Sequence, residues 1–172
     1  PLPENPRVLR RRKGKFVFSL RSLRREERDW PLPDGYYLFE KGKESGLSTD
    51  PLFLYAMMRQ ESRFRREVIS GAGAWGILQV MPATARRVAR ENRWSSFHHR
   101  WLFDPLTNIE LAVHYVKKLE KMFDKKWYWI AAAYNAGEEM ARGWSGSIDP
   151  LPEEILIEEI PYFTVRTSHG WQ

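Results

Sequence analysis

The chain contains no cysteine among its 172 residues. This absence excludes disulfides, thiol nucleophiles and sites in which cysteine holds zinc or an iron–sulfur cluster. Long hydrophobic runs are also missing: the longest apolar stretch is the eight residues Trp127–Tyr134, whereas a membrane-spanning helix needs roughly 20. No signal-peptide pattern follows Pro1, so we expect a processed form or a piece of a larger protein.

Positive charge and aromatic side chains are plentiful. Lys and Arg number 28 against 22 Asp and Glu, and the chain holds eight Trp, seven Tyr and nine Phe. Residues 1–30 carry ten basic and four acidic side chains and thus hold the whole net charge of +6. This balance favours an anionic polymer as partner, such as nucleic acid, a membrane surface or an acidic polysaccharide. Because no nucleic-acid fold signature accompanies the basic leader, we expect no nucleic acid as partner.

Helix signals predict a mostly α-helical domain. Three helices are predicted to begin at a proline: Pro51, Pro82 and Pro105. Proline suits the first position because the N–H that it lacks would make no hydrogen bond within the helix there. The apolar stretch 127–136 predicts a buried central helix that ends at Gly137. No strong alternating strand pattern follows residue 50. The dense turn signal between Trp30 and Gly35 suggests that the main domain begins after it.

Glu61 is the first candidate for chemistry. It shares a predicted helical face with Leu54 and Met58, so its carboxyl should lie at the end of an apolar stripe. Desolvation there raises the pKa of a carboxyl, and a carboxyl that is partly protonated near neutral pH can act as a general acid. The alternative, which spacing alone favours, is a helix-end glutamate paired with Arg65 at i+4.

The segment Gly71–Gly76 fits the pattern G-x-G-x-x-G. A dinucleotide site requires a strand before this pattern and a helix directly after it. Residues 65–69 make a poor buried strand, so we expect no nucleotide there. We expect a loop whose backbone closely approaches a ligand or another segment, with a tight structural turn as the alternative.

Tyr134 and Asn135 stand side by side at the end of the apolar helix. An aromatic ring, a hydroxyl and an amide together suit a neutral ligand rich in hydroxyl and amide groups, such as an N-acetyl sugar. Equally compatible is a helix-terminal Asn135 beside a glycine cap. No metal site is predicted, because the four histidines lack a metal-binding spacing.

Five segments in this order and spacing resemble one family. They are Arg59–Ser62, Gly73–Ala85, Asp104–Tyr115, Ala133–Gly137 and Glu158–Arg166. Together they resemble the catalytic domain of soluble lytic transglycosylases over residues 47 to 168, which favours the catalytic interpretation of Glu61. Two departures are Leu78, where the family usually has Met, and Thr164-Val165, where Glu-Thr is usual. The first conserves volume and is expected to be harmless.

The resemblance implies a mainly α, lysozyme-like (goose-type) domain with little or no sheet. We expect it to span residues 47–172, after a basic extension or remnant of a preceding region at residues 1–46. The implied reaction cleaves the β-1,4 bond between N-acetylmuramic acid and N-acetylglucosamine in peptidoglycan and forms a 1,6-anhydro end. Alternatives are a hydrolysing muramidase of the same fold and a non-catalytic peptidoglycan-binding domain.

The resemblance also implies roles for individual residues. Glu61 serves as acid and then as base, while Ser62 and Gly76 support the site. The implied substrate-binding residues are Ser70, Gln79, Met81, Tyr134, Asn135 and Glu158. No cofactor or metal is implied. The expected partner is the glycan strand of peptidoglycan, in the periplasm or in association with the cell envelope, with no strong sign of oligomerisation.

Overall fold

The computed structural model describes residues 10–12, 15–17 and 32–148. Two short antiparallel strands, β1 (Arg10–Arg12) and β2 (Lys15–Val17), pair with Arg11 opposite Phe16. Helices make up most of the rest. They are α1 (Leu32–Ser45), α2 (Pro51–Ser62), α3 (Pro82–Glu91), the 3-10 helix η1 (His99–Phe103), α4 (Pro105–Met122), α5 (Trp127–Ala136) and α6 (Glu138–Ile148). The predicted mainly α class is confirmed.

The predicted starts of α2, α3, α4 and α5 and the predicted end of α5 are confirmed, while α2 ends at Ser62, two residues before the end expected near Phe64. Two of these helices begin at an aspartate that caps the free N–H groups of the first turn: Asp50 accepts from the Leu52 N–H at 2.8 Å, and Asp104 accepts from Thr107 at 2.9 Å. The central helix ends at Gly137, whose φ of +93° is readily accessible only to glycine. These boundaries follow local sequence chemistry.

Helix α1 replaces the turn expected between residues 30 and 35. Pro33 lies in the first helical turn, where a residue without an N–H is tolerated, and Asp34 lies in the same turn beside free N–H groups. Leu38 is fully buried in the same core as the later helices. The predicted extension, residues 1–46, therefore includes a helix that shares this core, and the start of the catalytic domain stays a prediction.

The core is centred on α4, which packs against α1, α3, α5 and η1. One stripe of α4 is fully buried: Ile109, Ala112, Val113, Val116 and Leu119. Trp129 and Ile130 of α5 add bulk to the same cluster. Such burial supplies most of the stability of an amphipathic helix. None of the helices described is both long and apolar enough to cross a bilayer.

Candidate active site

Glu61 lies in the last turn of α2. The chain leaves the helix at Arg63, which adopts a left-handed conformation (φ +51°) and donates its N–H to the Arg59 carbonyl at 2.9 Å. The Glu61 side chain is half-buried, and this burial raises its pKa to about 7. A large fraction of this carboxyl is therefore protonated at neutral pH. Arg65, the partner in the alternative interpretation, directs its Nε to the Ser62 carbonyl at 3.1 Å.

Two neighbouring carbonyl groups, those of Ile77 and Leu78, receive side-chain hydrogen bonds from different helices. Ser62 of α2 donates its hydroxyl to the Ile77 oxygen at 2.7 Å, and Tyr134 of α5 donates its hydroxyl to the Leu78 oxygen at 2.9 Å. Burial raises the pKa of Tyr134, and the charge of Glu61 raises it further. The phenol and the carboxyl are thus close enough to interact electrostatically.

The loop between α2 and α3 carries three of the predicted substrate-binding residues. Trp75 forms isolated antiparallel bridges with Ile69 and with Val80, which fold this loop onto itself. Ser70 is half-buried, and its hydroxyl oxygen accepts the Ala74 N–H at 3.0 Å. The other two, Gln79 and Met81, lie at the end of the loop, just before α3.

Gln79 is buried, in contrast to the exposed Met81. It is in the left-handed region (φ +49°), and its Nε2 donates to the carbonyls of Val68 at 3.2 Å and Gly76 at 2.8 Å. Both amide hydrogens of Gln79 are therefore engaged within the loop. Met81 is 41% exposed at the start of α3, where its side chain is accessible to a ligand.

Asn108 organises this loop, a role that sequence reasoning did not assign to it. Its side chain is fully buried in α4 and accepts the Leu78 N–H at 2.9 Å. Its Nδ2 donates to the carbonyls of Trp75 and Leu102, each at 2.9 Å. A polar residue beside the apolar stripe of α4 was the available signal, since buried amides are usually hydrogen-bonded.

Gly76 is packed against this amide. Its φ is +79°, and a Cβ there would lie 2.1 Å from the Leu102 oxygen and 2.3 Å from Asn108 Nδ2. Only glycine avoids both the unfavourable φ and the overlap. The sequence expectation of close backbone approach thus holds at Gly76, where the backbone approaches another segment of the chain. Gly71, by contrast, has no atom within 4 Å of such a Cβ.

The remaining predicted residues are placed less centrally or not described. Asn135 is exposed at the end of α5, and its Nδ2 donates to the Ala131 carbonyl at 3.0 Å. Glu158 lies outside the described residues, as does the departure at 164–165. Of the carboxyls near Glu61 in the sequence, Glu67 is exposed.

In the part of the chain that the structure describes, a mainly helical fold sets the half-buried Glu61 at the end of a helix, just before a polar loop. The family model described as the transglycosylase SLT domain matches residues 38–155. The chain belongs to this family.

Similar proteins bear this out. A soluble lytic murein transglycosylase of Escherichia coli is 32% identical over 137 residues, which are 78% of this chain and 21% of that protein. An X-ray structure of an inactive mutant of a lytic transglycosylase from Pseudomonas aeruginosa matches with a TM-score of 0.72 and 30% identity, over 81% of this chain and 22% of that one. The predicted lysozyme-like fold class is thereby confirmed.

A further match is the complex of a 70-kDa soluble lytic transglycosylase with bulgecin A. Its TM-score is 0.71 and its identity 27%, over 84% of this chain and 23% of that one. The present chain spans about a fifth of the length of these relatives.

Proposed function

We propose that this domain is a lytic transglycosylase that cleaves the N-acetylmuramic acid–N-acetylglucosamine β-1,4 bond of peptidoglycan and leaves a 1,6-anhydro end. The observation that carries the proposal is the half-buried carboxyl of Glu61 at the end of α2, whose pKa burial raises to about 7. Membership of the transglycosylase SLT family supports the reaction class. Ordinary glycosidases use two carboxyls, and this reaction requires one that acts twice.

In the first step the protonated Glu61 carboxyl gives its proton to the glycosidic oxygen. The bond from that oxygen to C1 of the muramic acid breaks, and the leaving sugar departs with a new hydroxyl. A raised pKa suits this step because the acid form is then present at neutral pH. The substrate's own N-acetyl oxygen meets the positive charge that develops at C1.

In the second step the Glu61 carboxylate acts as a base. It takes the proton from the C6 hydroxyl as O6 forms a bond to C1, which closes the 1,6-anhydro ring and regenerates the acid. No water is consumed, and no electrons are transferred. One residue can fill both roles because protonation of the leaving oxygen leaves the base that the second step needs.

The predicted substrate contacts are assigned by their chemistry. Exposed Met81 offers an apolar surface for a sugar ring, and the hydroxyl of half-buried Ser70 can still donate a hydrogen bond to the substrate. The Tyr134 hydroxyl donates to Leu78, so its oxygen is the atom that would accept the N–H of an N-acetyl group. Asn135 and Gln79 would contact the glycan through their amide oxygens.

The proposed partner is the peptidoglycan glycan strand, in the periplasm or at the cell envelope. The names of the relatives, lytic murein transglycosylases, support the substrate class. Bulgecin A, which binds one structural relative, marks that relative as a ligand-binding protein.

The test is digestion of purified sacculi followed by mass spectrometry of the released fragments. The wild-type protein should release fragments with anhydro ends, and its kcat/KM should fall as pH rises above about 7, because Glu61 loses the required proton. Glu61→Gln should lower turnover by at least 10³-fold, on the order of what loss of an essential acid–base group costs. The matched control, Glu67→Gln, removes an exposed carboxyl of the following loop and should retain activity.

The alternatives predict different products. Reducing ends in place of anhydro ends would identify a hydrolysing muramidase and refute the transglycosylase reaction. Binding to sacculi without any turnover by the wild type would identify a non-catalytic binding domain. A fully active Glu61→Gln variant would refute the assignment of the acid.

A further inference from the structure

An ion pair joins α3 to the junction between α5 and α6. Arg87 donates both terminal nitrogens to the Glu138 carboxylate, at 2.8 and 2.6 Å. Glu138 opens α6 and follows directly on Gly137, which ends α5. The side chains are 34% and 17% exposed respectively. This bidentate geometry and partial burial distinguish the pair from a simple surface contact, whose net contribution is usually small.

Aromatic contacts connect this ion pair to Tyr134. The Arg87 guanidinium lies over the ring of Tyr115, 5.8 Å from its centroid. The rings of Tyr115 and Tyr134 are 5.6 Å apart between centroids, and the Tyr134 hydroxyl bonds to the Leu78 carbonyl. A continuous set of contacts therefore runs from Glu138 to the Tyr134 phenol, which interacts electrostatically with Glu61.

Other charged groups also face the ion pair. Lys118 of α4 lies 3.9 Å from Glu138 and also pairs with Glu91 of α3 at 2.9 Å. Arg142 of α6 is a further positive charge that acts on Glu138. The hydrogen bond from Arg87 lowers the pKa of Glu138, so the pair stays charged across the neutral range. A titration observed near pH 7 would accordingly not come from the ion pair.

We propose that the Arg87–Glu138 ion pair is a positioning device for the catalytic step: it fixes the start of α6 and the ring of Tyr115 so that Tyr134 keeps its hydrogen bond to the Leu78 carbonyl, in the neighbourhood of Glu61. This inference rests on the proposed function. The junction between the two helices is a single glycine, Gly137, with a φ of +93° and no side chain that could pack against its surroundings. Because α6 begins at the next residue, a contact from outside the junction is needed to fix its direction. Neither Arg87 nor Glu138 was singled out by sequence.

The physical consequence concerns the environment of Glu61. With the ion pair broken, the end of α5 gains freedom, Tyr134 loses its hydrogen bond to the Leu78 carbonyl, and water reaches the Glu61 carboxyl. Less burial means a lower pKa, so a smaller fraction of Glu61 is protonated at pH 7. The general-acid step should slow, and the alkaline limb of the pH profile should move to lower pH.

The experiment compares Arg87→Met with three other variants, all measured by anhydro-product formation and by thermal unfolding. We expect kcat/KM to fall about 10- to 100-fold, the range that small misplacements of catalytic groups produce, together with an acidic shift of the alkaline limb. Arg87→Lys keeps the charge but not the fork, so an intermediate loss is expected. The charge-reversed double variant Arg87→Glu with Glu138→Arg should regain activity and the wild-type pH profile.

Lys41→Met is the matched control, since it breaks the Lys41–Glu44 surface pair of α1, in which the nitrogen–oxygen distance is 2.8 Å. It should leave both kcat/KM and the pH profile unchanged. If Arg87→Met lowers only the unfolding temperature, while its kcat/KM and pH profile match the control, the ion pair is merely structural and the inference is wrong. Failure of the proposed function would appear separately, as a wild type without anhydro products or a fully active Glu61→Gln variant.

Discussion

Replacing Asn108 by Asp exchanges one buried NH2 group for an oxygen and leaves the rest of the side chain almost unchanged. The Leu78 N–H keeps its acceptor. The Leu102 carbonyl loses its donor, and the new carboxylate oxygen has no donor of its own, whereas the Trp75 carbonyl keeps the Val80 N–H at 3.0 Å. Each buried group without a partner costs about 1–3 kcal/mol. We therefore expect Asn108→Asp to lower the free energy of unfolding by about 2–6 kcal/mol at pH 7.

The loss should depend on pH in a defined direction. A fully buried carboxyl that faces two carbonyl oxygens has a pKa above its unfolded value near 3.9. Below the unfolded value the carboxyl is protonated in both states and can donate to one of the two carbonyls. As pH rises through the folded-state pKa, that contribution is lost. The stability difference from wild type should thus be larger at pH 7 than at pH 4.

Urea unfolding followed by circular dichroism measures both effects, with the wild type examined at each pH. Asn92→Asp is the control: Asn92 is exposed, and its Nδ2 donates to the Val88 carbonyl at 2.8 Å at the end of α3. The Val88 carbonyl keeps the Asn92 N–H at 3.0 Å, so the cost should stay at about 0.3–1 kcal/mol, that of a negative charge at a helix C-terminus. An Asn108→Asp variant as stable as wild type, or a deficit that does not vary with pH, would refute the hydrogen-bond argument.

Two further predictions concern the packing around the site. Gly76→Ala should lower the free energy of unfolding by several kcal/mol: about 1–2 kcal/mol come from the left-handed φ alone, and more from the overlap of the new Cβ with a main-chain oxygen 2.1 Å away. The control Gly71→Ala, with open space around its Cβ, should be near neutral in urea unfolding. Arg66→Met should lower the free energy of unfolding by about 1–3 kcal/mol, because it leaves the buried Asp34 carboxylate without its partner at 2.9 Å. Asp34→Asn should cost less, because the group that it leaves unpaired is a guanidinium whose side chain is 43% exposed. Equal losses of stability in Arg66→Met and Asp34→Asn would contradict this reasoning.

Local chemistry made much of the fold predictable. Helices α2 and α4 begin at an Asp-Pro pair, and α5 ends at glycine, so neighbouring residues suffice to place these boundaries. Helix α1 could not be placed this way because its first residues favour turns. Its stability comes from Leu38 packing into a core formed by residues far along the chain.

The candidate site was predictable in part. The apolar stripe before Glu61 predicted the raised pKa of its carboxyl, and burial of this carboxyl in the fold raises its pKa. The hydrogen bonds of Asn108 could not be foreseen, because its three partners come from residues 75, 78 and 102 and meet only in the folded chain. The role predicted for Gln79 in binding glycan stays a prediction, since its amide hydrogens bond to the loop itself.

The hydrogen bonds to the carbonyl groups of residues 77 and 78 do not depend on which side chains these two residues carry. Ser62 and Tyr134 both attach to main-chain oxygens, which every amino acid supplies. The spacing between α2 and α5 at this point is therefore set by main-chain atoms and does not depend on the side chains of residues 77 and 78. Exchange of Leu78 for another apolar residue of similar volume, such as Met, can leave that spacing unchanged.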